Sequence, residues 1–261
     1  MKIKHLFIAI ALITAFSSCQ KVIDVDLNSS DSKYVIEGGV TNTAPCRLRI
    51  TQTKNFSDDN TFPGVDNAFV TIADNAGNRD TLHYTSQGYY ESTAMTGVPG
   101  RSYYLSVKIY DEVFTATSVM PAPVNLDSLY ITDFTGFSDT IKLVTIDYFD
   151  PAGEANWYRF VLTLNNELQD NIEINSDEFG NGRPASQNIF YRDGERSLEQ
   201  GDSVMIEMQC IDKDVYHYFF TLDQTIGQSS AAPTNPISNI SGGALGFFSA
   251  NTVQRKSIRV Q

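Results

Sequence analysis

Hydrophobic and polar positions alternate with a period of two in several short runs of residues 33–120. In the clearest run, Tyr103, Leu105, Val107 and Ile109 would share one face of a strand, because successive side chains of a strand point to opposite sides. Seven short runs rich in β-branched and aromatic residues, separated by turn signals, predict a β-sandwich. The runs are KYVIEGG, CRLRITQT, AFVTIAD, RDTLHY, GYYEST, SYYLSVKIY and VFTATSVM.

The spacing of Gly100, Tyr103, Leu105 and Val107 resembles a tyrosine corner. In that motif the phenol of the tyrosine forms a hydrogen bond with nearby backbone at the end of a sandwich. The motif is structural and carries no information about function.

A second β-rich region follows the proline-marked boundary PAPVNLD at 121–127. Its strand-like runs are SLYITDF, DTIKLVTIDYF, NWYRFVLTL and DSVMIEMQCI. The polar stretch 165–201 predicts a long excursion that contains a short hairpin, and the tail predicts a final strand pair. We therefore expect an N-terminal β-sandwich over 33–121 and a C-terminal β-rich domain over 122–261.

Near the C-terminus the period of the pattern changes from that of a strand to that of a helix. Apolar residues recur at helical spacing: Val215, Tyr218, Leu222 and Ile226. Asp212 can cap the start of a helix over 213–226. Tyr216 and Phe220 form a second apolar stripe, which predicts packing on two sides. The helix fills the seam between the domains or, as the alternative, binds a partner.

The N-terminus carries a different pattern. Lys2 and Lys4 precede an apolar run too short to span a membrane, and two serines then stand directly before Cys19. This resembles the bacterial lipoprotein box, in which the cysteine becomes the first residue and carries acyl chains. It predicts a signal peptide over 1–18, lipidation of Cys19 and a polar tether over 19–32. An ordinary secretory signal with a chance cysteine is the alternative.

Net charge bears on the possible partners, and the two remaining cysteines bear on the redox state of the chain. The formal net charge of −12 becomes −14 once the two lysines of 1–18 are removed, and such a surface repels nucleic acid. Cys46 and Cys210 lie in strand-like runs far apart in sequence. They are either two buried free thiols or a disulfide formed in an oxidising compartment.

The mature chain offers little catalytic chemistry. His83 and His217 have no histidine or cysteine at ligand spacing, and neither HExxH nor GxSxG occurs. We therefore predict no catalytic residues, and no cofactor other than a possible calcium ion. The ion would be held by oxygen atoms of the segment DYFDPAGEAN. The candidate side-chain ligands are Asp147, Asp150 and Glu154.

Long loops on a rigid sandwich are where binding usually resides. The loop 177–192 and the tail Asn235–Phe248 are accordingly the predicted recognition surface for a ligand or partner. The alternative is that their aromatic rings belong to the core. The candidate residues are Trp157, Phe179, Phe190, Tyr191, Asn235, Asn239, Phe247 and Phe248.

Several motifs, in their order along the chain, resemble DUF4249, a family of unknown function among Bacteroidetes lipoproteins. They are YVIEGGVTN, VDNAFVTIADNAGN, GVPGRSYYLSV, YFDPAGEANWYRF, SDEFGNGR, GDSVMIEMQCID and NPISNISGGALGFFSA. The resemblance implies an outer-membrane lipoprotein encoded near TonB-dependent receptors. Asp24 and Asp26 resemble an export signal, which favours the cell-surface side over the periplasmic side. The first domain resembles immunoglobulin-like or transthyretin-like sandwiches, and the second resembles fibronectin type III domains.

Together these observations predict a lipid-anchored accessory binding protein of the outer membrane. It would assist a TonB-dependent transporter in the uptake of an extracellular ligand. A structural or adhesive surface lipoprotein is the first alternative. A hydrolase that uses a pair of carboxylates is the second, because the chain is rich in aspartate and glutamate.

Overall fold

A computed structural model describes residues 31–55, 59, 61–136, 140–178, 180–191, 197–226 and 235–261. The fold is mainly β with one helix in this part of the chain, which confirms the predicted fold class. The specific immunoglobulin-like, transthyretin-like and fibronectin type III assignments stay predictions. Residues 32–54 and 59–261 form one compact unit.

All seven strand-like runs of the first half form strands. They are β1 (Tyr34–Thr41), β2 (Pro45–Gln52), β3 (Phe69–Asp74), β4 (Arg79–Tyr84), β5 (Tyr89–Thr96), β6 (Ser102–Ile109) and β7 (Glu112–Val119). The face predicted for β6 is buried, and the Tyr103 hydroxyl accepts a hydrogen bond from the Val98 N–H at 2.6 Å. The tyrosine corner is thus confirmed.

The second half adds nine strands and the helix within the described residues. They are β8 (Leu126–Thr135), β9 (Thr140–Phe149), β10 (Trp157–Leu164), β11 (Glu167–Leu168), β12 (Glu173–Ser176), β13 (Pro184–Ile189), β14 (Ser203–Ile211), α1 (Lys213–Ile226), β15 (Ile240–Ser241) and β16 (Leu245–Arg259). The helix has the predicted bounds, and the Asp212 carboxylate caps it by accepting from the Val215 N–H at 2.9 Å.

Most strands belong to one long sheet in the order β11-β10-β14-β16-β1-β2-β5-β4-β3-β6-β7-β15, with β12 beside β10. A second sheet has the order β13-β9-β8. Side chains of β1, β2 and β5 meet those of β3, β6 and β7 in one core. A second core lies among β8, β9, β10, β13 and β14, and α1 forms a third cluster with Ile211 and Phe247.

The long strand β16 joins the two halves of the main sheet. Its residues 245–251 pair in parallel with β1, and its residues 252–259 pair antiparallel with β14. Gly246 has a φ of +97°, and a Cβ there would lie 2.1 Å from the carbonyl oxygen of Ile36. Only glycine fits this close approach of β16 to β1, because any larger residue would meet backbone.

Three expectations from the sequence are wrong in detail. The stretch 165–201 does not fold as its own hairpin, because β12 pairs with β10 and β13 with β9. The final strands do not pair with each other, since β15 pairs with β7. The second stripe of α1 is not fully packed: the side chain of Phe220 is 44% exposed and stacks on Tyr216.

Two further observations concern the cysteines and the length and hydrophobicity of the helix. Cys46 and Cys210 are buried free thiols. Among the described residues, no helix is both long enough and apolar enough to span a bilayer.

Candidate functional site

Five hydroxyl side chains stand in register across five neighbouring strands of the main sheet. The paired residues run in the order Thr81, Thr71, Ser106, Thr115 and Ser241, on β4, β3, β6, β7 and β15. We call this set the hydroxyl row. Each residue occupies a solvent-facing position, since its neighbours in the strand are the ones that point into the core.

Four residues of the hydroxyl row, all except Ser241, line an open concavity of about 1000 Å³ on the outer face of the sandwich. The next register row contains Ala73, Tyr104 and Thr117. Tyr104 is 45% exposed, so its ring offers an apolar surface beside the hydroxyls. The concavity is open because most side chains of these two rows are small. The larger side chains of Tyr104 and His83 help to line it.

A second cavity of about 400 Å³ shares Thr115 and Thr117 with the first and extends the face toward α1. Asp214 and His217, on the first turns of α1, line its far side, together with Ile237 from the segment before β15. The helix therefore forms a wall of the site rather than only filling a seam.

Asp212 fixes this wall against β7. One carboxylate oxygen caps α1, and the other accepts hydrogen bonds from the Ser118 hydroxyl and, at 3.0 Å, from the Val119 N–H. Ser118 in turn accepts from the Ala250 N–H at 2.8 Å. Burial raises the pKa of the Asp212 carboxyl, although these hydrogen bonds act in the opposite direction. One side chain thus connects β7 with α1.

Two carboxylates at the other end of the face hold local structure: Asp74 accepts hydrogen bonds within the turn between β3 and β4, and Asp80 accepts them from β5. Burial raises the pKa of Asp74, but hydrogen bonds from Asn78, Arg101 and Ala76 outweigh it and hold the pKa below its usual value. A hydrogen bond from Ser92 is the main cause of the lowered pKa of Asp80. Both groups stay ionised at neutral pH, whereas a general acid needs a raised pKa.

The predicted calcium ligands are not brought together. Among the residues that the structure describes, no three histidine, cysteine, aspartate or glutamate side chains form a group able to hold a metal ion. Asp150 is buried and accepts hydrogen bonds from the Tyr158 hydroxyl and the Gly182 N–H. Asp147 accepts from the Tyr130 hydroxyl at 3.3 Å, and Glu154 is exposed.

The aromatic residues predicted around the 177–192 loop are scattered. Trp157 is half-buried against the third cluster, and Tyr191 is buried in the second core. Phe190 is 49% exposed and packs edge-on against Phe134. Phe179 lies outside the described residues, as does Cys19.

The predicted residues of the tail mostly have packing partners. Phe248 is fully buried in the first core, and Asn239 binds its backbone N–H and C=O at 3.0 and 2.7 Å. Phe247 packs between Tyr218 and Phe219 of α1, with ring centroids 5.0 and 4.8 Å apart. Asn235 is exposed. Within this set the structure therefore leaves few side chains open to solvent.

The hydroxyl row could not be predicted from the pattern of a single sequence. Period-two alternation identifies the outward residues of each strand, and Thr71, Ser106 and Thr115 all hold such positions. The register between strands decides whether outward residues align, and a single sequence does not contain that register. Serine and threonine at outward positions of consecutive strands were the only available signal.

Fold and site together define a mainly β protein with an open face that carries a row of hydroxyls and has the charged residues Asp74, Arg79 and Asp80 at one end. A family model described as Domain of unknown function (DUF4249) matches residues 20–257. The chain belongs to this family, as its motifs indicated. No curated protein matches the chain.

Proposed function

We propose that this chain is a lipid-anchored, non-catalytic binding protein of the outer membrane and that the hydroxyl row contacts its ligand. The row itself is the observation that carries the proposal. Neighbouring strands are about 4.8 Å apart, so five aligned hydroxyls repeat over roughly 19 Å. Hydroxyls both donate and accept hydrogen bonds and carry no charge.

These features suit an extended, neutral, polyhydroxylated ligand such as a carbohydrate chain. The exposed ring of Tyr104 supports this chemistry, because it offers a flat apolar surface to the C–H face of a sugar. The surface charge of the mature chain acts against nucleic acid and against polyanionic ligands.

The anchor and the transporter are further parts of the proposal. Two or more acyl chains at Cys19 would hold the protein on a bilayer durably, since each buried methylene contributes about 0.8 kcal/mol. The tether over 19–32 would let the sandwich reach a neighbouring TonB-dependent transporter. The cell-surface side is the proposed orientation.

Fractionation tests this part of the proposal. We expect wild-type protein in the membrane fraction, with mass spectrometry detecting acyl chains on Cys19, and a Cys19→Ser variant outside it. Purification of the wild type in mild detergent should also recover a transporter. An unmodified Cys19 would refute the anchor, and recovery of the protein alone would refute the partnership.

A further inference from the structure

A separate cavity of about 390 Å³ lies on the outer face of β1 and β2, and it shares no lining residue with the concavity of the hydroxyl row. Glu37 of β1 and Arg49 of β2 form its charged floor, with Thr51 beside them. Phe62, 48% exposed, and Val35 give it an apolar side. We call it the β1–β2 cavity.

Glu37 and Arg49 are directly opposite each other across the two strands. The Cβ atoms of such a pair are about 5 Å apart, so the two charged groups act within one small space. They nevertheless form neither an ion pair nor a hydrogen bond with each other, although both residues belong to the described part of the chain. The two opposite charges are therefore both available to a ligand.

The Nε atom of Arg49 is buried and has no hydrogen-bond acceptor in the described structure. A buried donor without an acceptor is costly, and such a group requires an explanation of its own. The guanidinium is held 5.5 Å from the centre of the Tyr89 ring, which orients it without satisfying its N–H groups.

The neighbouring cations differ from Arg49 in this respect. Arg47, two residues earlier on the same strand, forms an ion pair with Glu91 at 2.8 Å and lies over the same Tyr89 ring. Lys54, at the edge of the cavity, binds Asp59 at 2.6 Å. Arg49 is thus the lining cation that retains capacity for an external anion.

Glu37 is the complementary group. Burial raises the pKa of its carboxyl and outweighs the opposite effect of the positive charges of Arg49 and Arg159. Its carboxylate receives no hydrogen bond from the residues described. A ligand that is only an anion would be repelled by Glu37, and one that is only a cation would be repelled by Arg49.

We propose that the β1–β2 cavity binds a small zwitterion of the α-amino acid type, whose carboxylate accepts from Arg49 and whose ammonium group donates to Glu37. Arginine suits this role because its planar fork matches a carboxylate. Val35 and Phe62 lie where an apolar side chain of the ligand would pack.

Binding of L-leucine, N-acetyl-L-leucine and L-leucine amide to the full-length, detergent-solubilised chain tests the proposal by calorimetry. The N-acetyl compound lacks the ammonium charge, and the amide lacks the carboxylate. We expect leucine to bind and each derivative to bind about tenfold more weakly or worse, since a charged hydrogen bond is lost. Absence of leucine binding, or equal binding of the three compounds, would overturn the proposal.

Variants assign the two charges separately. Arg49→Gln should weaken leucine binding about tenfold and abolish the preference for leucine over its amide. Glu37→Gln should abolish the preference for leucine over the N-acetyl compound. Arg49→Lys, which keeps the charge without the fork, should give an intermediate affinity.

Arg47→Gln is the matched control, because Arg47 is on the same strand and contacts the same Tyr89 ring. It should bind leucine as the wild type does. Thermal unfolding of each variant establishes that it is folded. If Arg47→Gln weakens binding as much as Arg49→Gln, or if folded Arg49→Gln binds as tightly as the wild type, the site is not where we place it.

Discussion

In residues 34–119 most strand pairs join neighbours in sequence, whereas in residues 126–259 most pairs join strands that are distant in sequence. The first half contains the local pairs β1–β2, β3–β4, β4–β5 and β6–β7. In the second half β10 pairs with β14 and β14 with β16, across the excursion and the helix. Local turns therefore organise the first half, and long-range packing organises the second.

The two cores also treat their buried tyrosines differently. In the first half Tyr103 accepts a hydrogen bond from a neutral backbone N–H. In the second half Tyr158 donates to the buried carboxylate of Asp150, and burial together with this bond raises the pKa of Tyr158. The buried tyrosine of the second core is thus bonded to a carboxylate, whereas that of the first core is bonded to neutral backbone.

The largest expected effect is at the joint between the halves. Gly246→Ala forces a Cβ against the Ile36 carbonyl at a positive φ and should lower the free energy of unfolding by about 3 kcal/mol or more. Gly77→Ala is the matched control, because Gly77 also has a positive φ but has open space around it. It should cost about 1 kcal/mol. Equal costs in urea unfolding would show that β16 and β1 are not in close contact.

The next largest loss of stability is expected when the hydroxyl of either buried tyrosine is removed. Tyr158→Phe leaves the Oδ1 atom of the buried Asp150 carboxylate without its donor and should cost about 3 kcal/mol, since hydrogen bonds to charged groups are the stronger ones. Tyr103→Phe leaves a backbone N–H without its acceptor and should cost about 1–2 kcal/mol. Denaturant titration measures both. The reverse order would contradict the contrast between the cores.

A smaller effect depends on pH and belongs to the second half. Burial, with the nearby charge of Asp223, raises the pKa of Glu173 from its usual 4.5 to about 7. The folded state therefore binds the proton more tightly, and stability should fall as pH rises from about 4.5 to about 7.

Glu173→Gln removes this titration. We expect the variant to be more stable than the wild type at pH 8, with a smaller difference at pH 5, in urea unfolding at both values. Asp147→Asn is a suitable control, since it removes another carboxyl of the second half, with a single long hydrogen bond. An unchanged pH dependence in Glu173→Gln would show that Glu173 is not buried as described.

The contrast between the halves also explains what could be predicted from the sequence. The strands of the first half and the helix were found because alternation, turns and the Asp212 cap are local signals. The pairing of β12, β13 and β15 was not found, because it depends on contacts distant in sequence. For the same reason the sequence pattern leaves open whether Phe248 lies at a surface or in the core, and β16 carries it into the first core.

The candidate site follows the same rule. Each outward serine or threonine of the hydroxyl row is identifiable from its own strand, but its alignment with the others depends on the order β4-β3-β6-β7-β15. The β1–β2 cavity likewise depends on the register that places Glu37 opposite Arg49. Residue types could be predicted, and their association could not.

Affinity electrophoresis tests the central claim, which is that the hydroxyl row binds a neutral polyhydroxylated ligand. Gels containing a neutral glucan, mannan or xylan are compared with gels containing a polyuronate. The wild type should be retarded by at least one neutral polymer, and Ser106→Arg combined with Thr115→Arg should abolish this retardation. Thr135→Arg, at an exposed position of the other sheet, should be retarded like the wild type. Failure of every neutral polymer to retard the wild type, or equal retardation of the double variant, would contradict the claim.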